Sequence, residues 1–146
     1  MAGRHNIVIV AQNPVLLTTL VSWVEAAGYQ VAAARSFKEG RVALEKMPAV
    51  LITELKLGEY NGLHLSLRAR TAGVPSVVIG PDDPVLIRDA DELGAIYLTP
   101  TIHRHRILDL LAEHTEPSAE NGENSRFSWK SEFERAVGRR RHLALN

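Results

Sequence analysis

The sequence predicts an α/β domain, a doubly wound five-stranded parallel sheet with helices on both faces, followed by a C-terminal tail helix. Short runs rich in Ile, Val and Leu alternate five times with segments whose apolar residues recur at helical spacing, and parallel neighbours need such helical crossovers, which are right-handed. The first of these runs is unbroken, the pattern of a strand covered on both sides rather than on one. Capping residues, many of them paired with proline or glycine, punctuate the junctions.

Each element follows in turn. Asn6 to Val10 reads as the first strand, and Asn13-Pro14 supplies a cap and a first-turn proline for a helix carrying Leu16, Leu17, Leu20, Val21 and Val24, closed by Gly28. Tyr29 to Ala34 is the second strand, and Ser36 with Glu39 makes a capping box for a short helix running to about Lys46. Ala49 to Leu55 is the third strand. A loop through Gly58 and Asn61-Gly62 enters a helix over roughly Leu63 to Ala72, and Pro75 introduces the strand Ser76 to Ile79. Asp83-Pro84 caps a fourth helix ending at Gly94, Ala95 to Leu98 is the fifth strand, and Thr101 starts a fifth helix that runs to about His114.

Composition bounds what the chain does. Its 146 residues balance 17 Lys and Arg against 17 Asp and Glu, which disfavours a uniformly basic nucleic-acid binder and a strongly acidic disordered chain. The absence of cysteine removes disulfides, thiolate zinc sites and cysteine nucleophiles together. The apolar run Ile7 to Val10 is shorter than the roughly 7–15 residues of a signal-peptide core, and nothing approaches a membrane span of about 20 apolar residues. A soluble, cytoplasmic domain is expected over residues 1–115. From 116 to 125 the chain turns to Pro, Ser, Gly, Asn and Glu, a linker composition. Residues 126–146 form a basic and aromatic tail, read as helical, with Phe127, Trp129, Phe133 and Val137 at near-helical spacing ahead of Arg139-Arg140-Arg141.

Five strand–helix units in about 115 residues, with Val10-Ala11-Gln12-Asn13-Pro14 after the first strand and the stretch Pro48 to Leu63 around the third, resemble the response-regulator receiver domain, the CheY-like family with a flavodoxin-like sheet. The resemblance spans residues 5 to 115. It implies a set of groups at the carboxyl ends of the strands, where doubly wound sheets place their chemistry. Those groups are an acidic pair holding magnesium, a phospho-acceptor aspartate, a hydroxyl and a lysine. By position they correspond here to Ala11 and Gln12, Glu54, Gly80 and Pro100, so none of the five is retained. Magnesium asks for hard oxygen ligands, and phosphoryl transfer depends on neutralising developing charge. The expectation is therefore a degenerate member, a pseudo-receiver, without metal, cofactor or catalytic residue.

Other positions carry two readings each. Glu54 is a partial mimic of a phosphorylated aspartate, or a polar strand-end residue satisfied by water or backbone amides. Tyr97 matches the family's switch aromatic, or is an ordinary half-buried strand tyrosine. His103-Arg104-His105-Arg106 suggests a metal or phosphate site, but histidines two apart on a helix diverge and cannot share one ion; the stretch reads first as a solvated first turn, with His103 or Arg104 a candidate counter-charge for Glu54. Ser22, Ser66 and Ser76 lack the glycines of a nucleophile elbow. Asp82-Asp83 reads as a helix cap, and Asp89 with Asp91 as a solvated helix face. The tail, with six Lys or Arg against two Glu, suits docking on its own domain, on a second copy or on a partner, with a disordered end the second reading and nucleic acid or lipid the last.

The function expected from these readings is a phosphorylation-independent interaction module of a bacterial two-component (phosphorelay) system. It would bind a kinase, a regulator or itself through the fourth helix, fifth strand, fifth helix and tail, with no membrane partner. The alternatives are a small enzyme or ligand binder on the same sheet, or a receiver phosphorylated at an unorthodox site.

Overall fold

The computed structural model describes residues 5–115. The linker and the tail, including Phe127, Trp129, Phe133 and Val137, lie outside them. Chain order is β1 (Asn6–Val10), α1 (Pro14–Ala26), β2 (Gln30–Ala34), α2 (Phe37–Leu44), β3 (Val50–Glu54), β4 (Lys56–Leu57), β5 (Tyr60–Asn61), α3 (Gly62–Thr71), β6 (Ser76–Ile79), α4 (Pro84–Glu92), β7 (Ile96–Leu98) and α5 (Arg104–Thr115). The principal sheet has the order β2-β1-β3-β6-β7, and every pairing in it is parallel. The expected five-stranded doubly wound architecture is what forms.

Period-two alternation divides the core. Ile7 and Ile9 of β1 join Leu20, Val24, Ile107 and Leu111 on the face covered by α1 and α5. Val8 and Val10 join Leu44, Leu65 and Ala69 on the face covered by α2 and α3. Both sets are removed from solvent, so β1 contributes about 1.5–3 kcal/mol per large side chain on either side of the sheet. Beneath α4 a third cluster gathers Leu55, Val78, Ala90 and Ala95, with Leu63, Leu86 and Tyr97 packed against it.

Caps behave as their residue types dictate. Asn13 Oδ1 accepts from the amides of Val15 and Leu16 at the start of α1, Ser36 Oγ from Glu39, and Asp83 Oδ1 from Val85 and Leu86. Gly28 takes φ +101° just past α1, the left-handed geometry that a C′ position requires.

Two expectations change. The stretch expected as a loop around Gly58 is a small antiparallel hairpin pairing Lys56 with Asn61 and Leu57 with Tyr60; Gly58 supplies φ +82° for its turn, too local a signal to stand out as periodicity. Helix α5 begins at Arg104, not Thr101, because the His103 carbonyl is the first to be bonded, by the amides of Arg106 and Ile107. Among the described residues, no helix is long and apolar enough to cross a membrane.

Candidate functional site

Because all five strands of the principal sheet run in one direction, their carboxyl ends open on one edge, and the connectivity reverses about β1. Register aligns the edge. Val10 pairs with Thr53, Glu54 with Ile79 and Ile79 with Leu98. Ala11, Gln12, Glu54 and Gly80 are thereby brought together at the ends of three adjacent strands, while the exposed Pro100 lies two residues beyond β7.

Glu54 is the acidic residue of this group, and its carboxylate is already engaged. Its Oε1 accepts from the amide of Gln12 at 2.8 Å and from that of Asn13 at 3.2 Å. Asn13 in turn caps α1, so the Glu54 charge lies beside the amino end of that helix, where the helix dipole favours an anion. The reading of Glu54 as a strand-end carboxylate satisfied by backbone amides describes these contacts. His103 and Arg104 take no part in them.

The donor set does not fit the magnesium ion that the family resemblance implies. Ala11 presents a methyl group and is 0% exposed, Gln12 is a neutral amide, and one oxygen of Glu54 is held by main-chain donors. Magnesium holds near-octahedral oxygen geometry and is usually bound through one or two carboxylates with waters completing the shell, and here Glu54 is the one carboxylate of the group, beside a methyl group and a neutral amide. Among the described residues, no three His, Asp or Glu side chains converge as a metal site would need.

On the neighbouring strand end, a missing side chain is filled by a ring. Tyr97 lies inward over Gly80, where an added Cβ would collide with the Tyr97 hydroxyl and come within 3.0 Å of Leu55 Cβ. The hydroxyl donates to the carbonyl of Pro81 at 2.7 Å. Its pKa is raised above the ordinary 10.0 by burial first, and then by the Asp83 and Asp82 carboxylates. Tyr97 is thus a half-buried strand residue whose polar end is fixed at this edge.

The remaining candidates separate. His103 and His105 stand close, with ring centroids 5.7 Å apart and planes inclined by 31°. This corrects the expected divergence, which holds only between helical residues, because His103 precedes α5. Both rings are exposed. Ser76 Oγ donates to Ser66 Oγ at 3.0 Å in a buried pair, a structural bond. Asp89 and Asp91 are half-buried rather than on a solvated face.

One feature went unseen in the sequence. Phe37 of α2, Tyr60 of the hairpin and His64 of α3 form an aromatic cluster: the Phe37 and Tyr60 centroids are 4.7 Å apart, and His64 meets Tyr60 edge-on at 5.4 Å. Arg68 lies 5.9 Å from the centre of the Phe37 ring. These residues line an open groove of about 580 Å³ that also includes Lys38, Arg41 and Gln12. The i, i+4 spacing of Tyr60, His64 and Arg68 is the signal available in the sequence. Phe37, from a different element, joins them only through folding.

No family profile matches the chain, and no curated protein matches it. Solved structures do. A response-regulator receiver domain protein (CheY-like) from Methanospirillum hungatei JF-1 superposes with a TM-score of 0.74 at 19% identity, covering 82% of this chain and 100% of that one. A response-regulator receiver protein from Pseudomonas putida gives 0.70 at 22% identity, covering 77% and 99%. A two-component response regulator from Clostridium difficile gives 0.72 at 16% identity, covering 78% and 98%. The chain has the receiver-domain fold.

Proposed function

We propose that this chain is a non-enzymatic interaction module of a two-component signalling system, working in the cytoplasm without phosphorylation. The observation that carries the reading is the Glu54 carboxylate, one oxygen of which is held by the amides of Gln12 and Asn13, at an edge where Ala11, Gly80 and Pro100 offer no metal ligand, hydroxyl or ammonium. Phosphoryl transfer is almost wholly positioning and charge neutralisation, and this edge lacks the groups for the second.

A switch also needs two arrangements that a ligand binds unequally. Tyr97 occupies the space that Gly80 leaves open and bonds to Pro81, which favours a domain resting in one state. The surface offered to a kinase, a regulator or a second copy is the one around α4, β7 and α5, where Val85 is 54% exposed. The basic and aromatic tail would extend it.

Incubation of the full chain with acetyl phosphate and magnesium, followed by intact-mass measurement, tests the reading. An unchanged mass is expected. A stable covalent phosphate would overturn it and favour a receiver modified at an unorthodox position.

A further inference from the structure

We propose that the groove between α2, α3 and the β4–β5 hairpin binds a nucleotide, with the base stacked against Tyr60 and the phosphate held by Lys38, Arg41 and Arg68. Three features of the groove point to this ligand class together. First, it holds a partly exposed aromatic residue: Tyr60 is 49% exposed although its ring packs on Phe37 at 4.7 Å and on His64 at 5.4 Å. The two packed neighbours fix the ring, so a planar ligand meets a platform that is already ordered. Bases stack on such rings whatever their identity, because each presents a π face.

Second, the lining is cationic. Lys38, Arg41 and Arg68 stand against the single carboxylate of Glu59, in a chain whose formal net charge is zero. Arginine presents a planar fork of donors that matches phosphate oxygens. His64 adds a polar edge: its Nδ1 accepts from the Asn61 amide, leaving Nε2 as a donor.

Third, the size is right. About 580 Å³ falls within the roughly 300–1,000 Å³ of small-molecule sites. A simple anion would leave the exposed ring without a role, and an apolar ligand would leave three cations without one. A nucleotide uses both. Glu54 is not among the groove's lining residues, although Gln12, whose amide it accepts from, is one of them.

The test is a titration of the full-length chain with adenosine monophosphate, guanosine monophosphate and inorganic phosphate, followed through backbone amide shifts. Saturable shifts centred on Lys38, Tyr60, His64 and Arg68 are expected, with a nucleotide dissociation constant below about 1 mM. Tyr60→Ala should weaken nucleotide binding about tenfold while leaving inorganic phosphate unaffected. The double variant K38Q/R41Q should weaken both ligands, and its exposed positions keep the fold out of question. Three results would each overturn the proposal: no saturable shift, equal affinity for nucleotide and inorganic phosphate (an adventitious ion only), or nucleotide binding indifferent to Tyr60→Ala in a chain that keeps its native amide spectrum.

Discussion

At position 80 a side chain and an aromatic ring compete for one space, and the ring has it. Gly80→Ser would place Cβ against the Tyr97 hydroxyl and against Leu55, so the ring must leave the edge or the strand must shift. A loss of about 1–3 kcal/mol in denaturant unfolding is expected, together with a Tyr97 titration moved back toward 10.0. Tyr97→Phe keeps the ring and removes the bond to Pro81, at a cost of about 1 kcal/mol. The same substitution carries a pH signature. Because the folded chain holds the Tyr97 proton more tightly than the unfolded one, the contribution of this group is whole below pH 10.0 and is lost as pH rises through the higher folded value. Unfolding of the Phe variant should therefore show a shallower alkaline decline than that of the parent.

At the scale of elements, the entry to α3 shows how closely a cap and a strand end are joined. Asn61 Oδ1 accepts from the amides of Leu63 and His64, and the His64 ring answers by accepting from Asn61 N. Gly62 lies so near β3 that a Cβ there would stand 2.5 Å from the Glu54 carbonyl oxygen. Asn61→Ala should cost about 1 kcal/mol. Gly62→Ala should cost more than that and disturb the Glu54 amide signal as well, because backbone cannot yield as a flexible side chain does. A thermal melt and an amide spectrum of each variant check both statements. These elements were legible in the sequence where chemistry is local: Asn13-Pro14, Ser36 with Glu39, and Asp83-Pro84 marked three helix starts correctly. The start of α5 was misplaced because Thr101 is a capping residue type, while the helix begins three residues later at Arg104. The hairpin was missed because two-residue strands have no periodicity to read.

Over the whole molecule, the five-stranded parallel sheet and both covered faces followed from the alternation of apolar runs with helical spacing, and the donor-poor edge from the residues that the family resemblance places there. Partners of Glu54 were not legible. That Gln12 and Asn13 would turn their amides toward it depends on the path of the β1–α1 connection, which spacing does not encode. The inward setting of Tyr97 was equally hidden, since it depends on what Gly80 lacks. The aromatic groove joins three elements far apart in sequence. These contacts together describe a receiver fold in which one oxygen of Glu54 is held by backbone amides and the space beside Gly80 is filled by Tyr97. The most direct measurement of that claim is the amide spectrum of the full chain recorded with and without magnesium and acetyl phosphate. Superimposable spectra at Glu54, Tyr97 and along α4 are the predicted result. Concerted shifts at those three places would contradict it.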